Sequence, residues 1–231
     1  LGMLVMVSSN DLIFLYISIE LQSLALYVLV ALRRESIKGS EAALKYFILG
    51  SIASAVILYG SSMIYSVVGS TNYEIIKQFS DQSSNNLILS LGLVLIISGI
   101  AFKLSAAPFH MWTPDVYEGA PSSVTTILVT LPKFAALVVL VNLLMHPFIN
   151  QAETWVPITI IISILSMAIG SVSAIKQDNL KRLFAFSTIA NIGYVMIGLV
   201  CVNDEAIKAS FLYMFLYTLA TLGVFSFIMI L

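Results

Sequence analysis

The chain is organised as long apolar runs separated by short polar breaks. A helix that crosses a bilayer needs about 20 mostly apolar residues, and seven runs meet or approach that length. A shorter apolar stub precedes them. The stub covers residues 1–7, and the predicted spans cover residues 12–32, 42–68, 87–112, 122–144, 156–175, 180–202 and 206–231.

Helix is the secondary structure that these runs predict. Lipid-facing barrel strands would be about ten residues long and would alternate apolar with polar positions, whereas these runs are continuous. The breaks are predicted as loops at residues 33–40, 69–86, 113–121, 146–155, 176–179 and 203–205. The pattern predicts an all-α, polytopic transmembrane helical bundle that forms one transmembrane domain over residues 1–231.

Composition favours a membrane environment. Hydrophobic residues make up 59% of the chain, charged residues only 10%, and the mean hydropathy is +1.00. Soluble domains carry about 25% charged residues, so this chain cannot cover a water-facing surface. The formal net charge of −1 argues against nucleic acid as a partner. The single Cys201 excludes an internal disulfide and a cysteine-based metal site.

Basic residues are distributed unequally between the two sides of the predicted bundle. Lysine and arginine concentrate in loops that face the cytoplasm or matrix. The loop with Asp115 and Glu118 falls on the more basic side. That side carries Arg33, Arg34, Lys38, Lys176, Lys181 and Arg182, and the other side carries only Lys77 and Lys208.

Both ends of the sequence have features of an internal segment. The first residue is not Met, and residues 227–231 lie inside an apolar run. We therefore expect the middle of a larger membrane protein or the product of a split gene.

Three ionisable residues lie deep inside predicted spans: Glu20, Lys103 and Lys133. A charge at the centre of a spanning helix costs about 2.5–3.5 kcal/mol on insertion scales. A static buried pair or a snorkelling side chain is the alternative to a functional role, but snorkelling works near helix ends. Lys45 is nearer an end and follows Glu41 by four residues, which also suits an ordinary helical ion pair. A buried Lys–Glu pair suits a proton relay, because movement of one partner changes the proton affinity of the other.

Proline interrupts two of the spans beside these lysines. Pro108 follows Lys103 by five residues and removes a helical hydrogen bond, so carbonyls near Lys103 and Leu104 are predicted to lose their partners. Irregular backbone at membrane depth is tolerated where it is buried in protein or lines a cavity, and broken helices bind or conduct ions in transporters. A simple kink is the alternative. Pro132 directly precedes Lys133, and residue spacing predicts that both lysines lie at similar depth on neighbouring helices.

Several polar residues are weaker candidates. His110 would relay protons or bond locally, and Asn191 would bond another helix or hold a water molecule. Tyr213 and Tyr217 share a helical face with Thr221. The aromatic residues Trp112, Trp155 and Tyr117 fit interfacial belts. The sequence contains no recognisable nucleotide-binding or metal-ligand motif, so no redox centre is expected in this chain.

Five stretches carry a family resemblance. The sequence resembles the antiporter-like membrane subunits of respiratory complex I, and among them the subunit 2 branch. The resemblance covers essentially the whole chain, and the segment from Pro108 to Pro121 is its most specific part. The stretches are IELQS at 19–23, EAALKYFILG at 41–50, FKLSAAPFHMWTPDVYEGAP at 102–121, LPK at 131–133 and DNLKRLFAFS at 178–187.

The resemblance implies a fold of about fourteen helices with two inverted repeats. The chain would span helices four to eleven, with a complete first repeat in residues 1–145 and part of the second in residues 146–231. Glu20, Lys45, Lys103 and Lys133 would correspond to the family's proton-relay residues on helices five, six, seven and eight. Asn191 stands where the family usually has histidine, which leaves it a hydrogen-bonding role.

The resemblance also implies the function and its setting. The chain would translocate protons, driven by distant quinone reduction. NADH, FMN, iron–sulfur clusters and ubiquinone would be bound by other subunits. Its partners would be other membrane-arm subunits, membrane lipids and, for a split gene, separate chains that supply the missing helices. The expected location is the mitochondrial inner membrane, with the bacterial plasma membrane and the thylakoid as alternatives. A stand-alone cation/proton antiporter and a structural subunit without pumping are the alternative functions.

Two expectations about contacts follow. Glu20 and Lys103 are expected to face one another across a helix interface. The face formed by Tyr213, Tyr217 and Thr221 is expected to pack against a separate chain or a continuation of this one, with a buried lysine within reach.

Overall fold

The computed structural model describes residues 1–33, 35–82 and 86–230, and these form an α-helical bundle. Seven of its helical segments are long and apolar enough to span a membrane, and one of them, Ser122–Met145, consists of two consecutive helices. The helices are α1 Gly2–Val7, α2 Leu12–Val30, α3 Ile37–Val68, α4 Tyr73–Gln82, α5 Leu87–Leu104, α6 Thr113–Gly119, α7 Ser122–Val129, α8 Leu131–Met145, α9 Ala152–Ile175, α10 Leu180–Val200 and α11 Asp204–Ile230, with a 3₁₀ turn at Ile149–Gln151. The predicted all-α class is confirmed.

Side-chain caps explain where several helices begin. Asp11, Asn86 and Asn179 each accept backbone N–H groups from the first turn of α2, α5 and α10. Ser36 does the same for α3, by accepting from the Gly39 N–H. A capping oxygen satisfies an N–H group that has no partner within the helix. Because Ser36 caps α3, that helix starts at Ile37, five residues before the predicted start of its span.

Two predicted loops contain short helices. The break at 69–86 contains α4, whose Tyr73 and Ile76 are buried while its other side faces outward. The break at 113–121 contains α6, which has a proline in its first turn, where a missing N–H has no cost. The loop predictions were wrong here because these helices are too short and too polar to resemble spans. Ser83, Ser84 and Asn85 of the first break lie outside the described residues, as do Arg34 and Leu231.

Two predicted spans end or divide at the proline-containing segments. The span predicted at 87–112 stops being helical at Leu104. The span predicted at 122–144 is two helices, α7 and α8, that meet at Thr130. Hydropathy is continuous across Thr130, because the residues on both sides are equally apolar, and Pro132 beside Lys133 was the sequence feature that marked the second break.

Two pairs of long helices pack closely through glycine. A Cβ added at Gly60 would lie 2.6 Å from the Gly92 carbonyl oxygen, and one at Gly92 would lie 2.8 Å from the Gly60 carbonyl oxygen. These contacts bring α3 against α5. In the same way, a Cβ at Gly170 would lie 2.5 Å from the Ala190 nitrogen, which brings α9 against α10. Small residues let membrane helices approach closely, so these pairs form a rigid frame around the broken segments.

The predicted basic side is one end of the bundle. Lys38 at the start of α3 and Arg182 at the start of α10 both contact Glu118 of α6. Lys181 donates to the Ala120 carbonyl at 2.8 Å. The loops assigned to this side by their charges therefore meet in space, together with the acidic loop.

Candidate functional site: two buried lysines at a broken helix

The site is built on the interruption between α5 and α6. Ser105 follows the last residue of α5 with a φ of 64°, in the left-handed region, and turns the chain out of the helix. The Ala107 N–H donates to Ser166 Oγ of α9 at 2.8 Å, and the Trp112 indole N–H donates to the Phe102 carbonyl at 3.0 Å. The helix is thus interrupted where the prolines and lysines predicted it, and groups from elsewhere satisfy the freed backbone.

Lys133 is the centre of the site. Its side chain projects from the first turn of α8 and the residue is only 1% exposed. Its Nζ donates to the Lys103 carbonyl oxygen at 2.9 Å and to Ser105 Oγ at a shorter separation. The ammonium also lies 4.7 Å from the centre of the Trp112 ring, a cation–π distance. The predicted proximity of Lys103 and Lys133 is confirmed through this backbone contact.

Lys103 points the other way, towards α2. Its Nζ donates to Ser23 Oγ at 2.8 Å and lies 5.9 Å from the centre of the Tyr27 ring. Glu20 is within electrostatic range of Lys103, but the described residues include no ion pair to Glu20. The Glu20 Oε1 atom is buried with no hydrogen-bond partner among them. The pairing is therefore indirect, because Ser23, three residues beyond Glu20 on α2, holds the ammonium.

Lys45 does not join these residues. It belongs to an ionic cluster at the basic end of the bundle, defined by Lys38, Glu41, Lys45, Asp115, Glu118 and Arg182. Lys45 Nζ lies 2.7 Å from Glu41 and 2.8 Å from Asp115, so the helical pair four residues apart is present. Arg182 lies 2.7 Å from Asp115 and 3.0 Å from Glu118. Lys38 lies 2.8 Å from Glu118.

The cluster keeps its carboxylates charged. Hydrogen bonds from Lys38 and Arg182 hold the pKa of Glu118 below its ordinary value. Partial burial raises the pKa of Asp115, but hydrogen bonds from Lys45 and Arg182 outweigh it, and the pKa of Asp115 is also lowered. Opposite charges at contact distance favour the ionised form. The cluster is therefore a set of mutually satisfied charges.

His110 lies in the loop between α5 and α6, half-buried. Its Nδ1 atom is buried and has no hydrogen-bond partner among the described residues. Burial lowers the pKa of His110, against an opposing hydrogen bond to the Pro108 backbone. His110 is therefore favoured as a neutral side chain beside the broken helix, and it makes no contact with Lys103 or Lys133 in the hydrogen-bond network of the described residues.

The polar face of α11 packs within this chain. Tyr213 donates to Asn191 Oδ1 at 2.5 Å and Tyr217 donates to Thr188 Oγ1 at 2.8 Å. Thr221 is buried at 4% exposure and donates within its own helix. These partners lie on α10 of the same chain. Tyr213 remains 39% exposed, and the expected contact of this face with a separate chain or a continuation of this one, with a buried lysine within reach, stays a prediction. Asn191 bonds another helix, as expected of it.

Sequence reasoning missed four residues that contact the lysines or their partners: Ser23, Ser105, Trp112 and Thr113. Trp112 is 2% exposed, so the interfacial-belt interpretation was wrong for it, as it was for the fully buried Trp155 and Tyr117. A belt residue and a core residue have the same local sequence context in a membrane protein. Both serines follow a buried charge closely, Ser23 three residues after Glu20 and Ser105 two residues after Lys103, and this spacing is the signal that could have identified them.

A metal site has no support in the described part of the chain, which contains no group of three or more His, Cys, Asp or Glu side chains able to hold an ion. Around the lysines, the described residues offer ammonium, hydroxyl and carboxyl groups together with backbone carbonyls. Ammonium and carboxyl groups can exchange protons, and the hydroxyls and carbonyls can hydrogen-bond to them.

Comparison with known proteins places the chain in a family. Residues 9–231 match the family described as NADH:quinone oxidoreductase/Mrp antiporter, transmembrane. NADH-quinone oxidoreductase subunit N from Maricaulis maris is 49% identical over 225 residues, which cover 97% of this chain and 47% of that protein. The subunit N of Pelagibacter ubique is also 49% identical, with 98% and 48% covered. The chain thus spans about half the length of the curated relatives it matches.

Solved structures have the same fold as this chain. A chain of respiratory complex I from Thermus thermophilus superposes with a TM-score of 0.83 at 35% identity, covering 97% of this chain and 48% of that one. A chain of the Mrp complex from Dietzia superposes with a TM-score of 0.88 at 20% identity, covering 97% and 42%, and that likeness is one of fold alone. The chain therefore belongs to the NADH:quinone oxidoreductase/Mrp antiporter family of membrane subunits.

Proposed function

We propose that the chain is the proton-translocating part of a membrane-arm subunit of NADH:quinone oxidoreductase, of the type that its bacterial relatives call subunit N. Within that type we assign it to the subunit 2 branch and to helices four to eleven. Quinone reduction elsewhere in the complex would supply the free energy. NADH, FMN, the iron–sulfur clusters and ubiquinone would be bound by other subunits.

The observation that carries the proposal is the setting of Lys133. An ammonium group that is 1% exposed in a membrane helix bundle has a large desolvation cost, and a rigid scaffold gains nothing from it. Its contacts are a backbone carbonyl and a hydroxyl, not a carboxylate. Neutral acceptors stabilise the charged form less than a carboxylate does, so Lys133 is suited to lose and regain a proton.

The order of the relay is proposed from the contacts. Movement of Glu20 relative to Lys103 would change the proton affinity of Lys103 by charge coupling. The proton would pass on to Lys133, whose Nζ is already bonded to the Lys103 carbonyl. We place Lys45 outside this line of groups, because it belongs to the ionic cluster, and we propose a structural role for it in place of the relay role that the resemblance implied.

The surroundings of the chain are also proposals. Other membrane-arm subunits would be its partners, and the remaining helices of the subunit would come from the same polypeptide or from separate chains. The membrane would be the mitochondrial inner membrane or a bacterial plasma membrane. Purification of the native complex, followed by identification of every polypeptide in it, would test the proposed partners and the source of the remaining helices.

The test of function uses the intact complex in sealed vesicles. Lys133→Met keeps the length of the side chain and removes its charge, and we expect NADH-driven proton translocation to fall by at least about tenfold. Lys208→Met, at an exposed position on α11, is the matched control. Translocation in Lys133→Met equal to that of the control would overturn the proposal and favour a structural subunit. Cation/proton exchange by the chain without its partner subunits would favour a stand-alone antiporter.

A further inference from the structure

Ser105 lies between two hydrogen-bond donors in the buried interior of the bundle. Thr113 Oγ1 donates to Ser105 Oγ at 2.6 Å, and Lys133 Nζ donates to the same oxygen. Ser105 and Thr113 are both 0% exposed. Ser105 is therefore a side-chain partner of the buried ammonium, and Thr113 determines where its oxygen lies.

The two acceptors of Lys133 differ in chemistry. The Lys103 carbonyl oxygen can only accept a hydrogen bond, whereas a serine hydroxyl can both donate and accept. When Lys133 carries its proton, both oxygens accept from Nζ. When Lys133 is neutral, its nitrogen has a lone pair that requires a donor, and rotation of the Ser105 hydroxyl supplies one. The Lys103 carbonyl has no hydrogen and therefore cannot donate to the neutral lysine.

We propose that Ser105, held by Thr113, is a positioning residue that reverses the direction of its hydrogen bond to Lys133 each time the lysine loses or regains its proton. Ser105 keeps its own proton throughout, and the proton that leaves Lys133 is passed on along the relay to water. Thr113 continues to donate to Ser105 Oγ in both states, so the oxygen stays in place while its hydrogen turns. This inference rests on the proposed function of Lys133.

The backbone at Ser105 supports the assignment. Its φ of 64° is in the left-handed region, which is unfavourable for a residue with a side chain. Glycine adopts that conformation without this cost. A residue with a side chain is therefore less favourable than glycine at this turn. Serine provides a hydroxyl that contacts Lys133, which glycine cannot provide.

The test compares variants of the intact complex in sealed vesicles. Ser105→Gly removes the hydroxyl and relieves the backbone, and Thr113→Val removes the second hydroxyl at nearly constant shape. We expect proton translocation to fall roughly tenfold in Ser105→Gly and severalfold in Thr113→Val. We also expect the size of each deficit to change with pH, because the two protonation states of Lys133 lose different partners.

Two control variants separate this role from packing. Thr113→Ser restores the hydroxyl, and we expect it to recover most of the translocation. Thr159→Val removes an equally buried hydroxyl of α9 that donates only to its own helix, at the Trp155 carbonyl, and we expect the wild-type pH profile. If Ser105→Gly fails to assemble, the Thr113→Val and Thr113→Ser pair still decides the matter.

Two results would overturn the inference. One is wild-type translocation and pH profile in both hydroxyl-deficient variants while Lys133→Met abolishes translocation, which leaves the proposed function intact. The other is a deficit of equal size at every pH, which indicates packing alone. Normal translocation in Lys133→Met would instead refute the proposed function itself.

Discussion

The lysine site at the broken helix and the ionic cluster at the basic end hold the same kinds of cation in opposite settings. In the cluster, each of Lys38, Lys45 and Arg182 contacts at least one carboxylate. At the broken helix, Lys103 and Lys133 donate to a hydroxyl and a backbone carbonyl. A carboxylate contact stabilises the charged form of a basic side chain, whereas a neutral oxygen favours that form less and remains compatible with loss of the proton.

The lysines of the two regions also differ in their exposure to solvent. The Lys38 side chain is 76% exposed, and water would stabilise its charge even without Glu118. Lys133 is enclosed by protein, so every contact that it makes bears on its protonation. The cluster joins α3, α6 and α10, and the function proposed above assigns proton exchange to the broken helix.

The largest expected effect concerns Lys103. Lys103→Met removes the ammonium that Ser23 holds, and we expect proton translocation to fall about tenfold while the complex still assembles. The rate of NADH-driven acidification in sealed vesicles measures it. Lys45→Met is the matched variant from the cluster, and we expect it to stay within about twofold. Equal losses in the two variants would remove the distinction between the regions.

Asp115→Asn tests the cluster directly. It removes the negative charge shared by Lys45 and Arg182, and we expect a loss of about 1 kcal/mol in stability, seen as a lower thermal midpoint of the assembled complex. Proton translocation per NADH oxidised should stay near the wild-type value. A selective loss of translocation without loss of stability would place the cluster in the relay.

Acid should weaken the cluster before it affects the buried lysines. The pKa values of Asp115 and Glu118 are lowered in the folded chain, so their contribution is fully present above the ordinary carboxyl pKa of about 4 and is lost as the pH falls below it through the lowered values. We expect the thermal midpoint of the complex to decrease there. The double variant Asp115→Asn, Glu118→Gln should lose much of this acid sensitivity, and an unchanged pH dependence would contradict the assignment.

The smallest expected effect is at Tyr213. Tyr213→Phe removes its hydrogen bond to Asn191 at a partly exposed position, and we expect a loss of about 0.5 kcal/mol in stability with unchanged translocation. The thermal midpoint measures the first and vesicle acidification the second. A large loss of translocation would mean that Asn191 takes part in the relay despite its lack of a titrating group.

The bundle was predictable because its signal is local. Runs of apolar residues near the thickness of a bilayer must be helical, since lipid offers no partners to the backbone. The buried charges were visible for the same reason, because Glu20, Lys103 and Lys133 stand out against apolar neighbours. The short helices α4 and α6 were not predictable from hydropathy, since neither spans a membrane. The break at Thr130 was marked only by Pro132, two residues further on.

Sequence alone determined the class of the fold, the interruption at Pro108 and the identity of the two deep lysines. Only the tertiary structure decided their partners: Ser23 in place of Glu20 for Lys103, Ser105 and a backbone carbonyl for Lys133, and α10 for the polar face of α11. The reason is physical. The cost of a buried charge depends on its own position in the membrane, whereas the group that satisfies it depends on which distant helix the packing brings within about 3 Å.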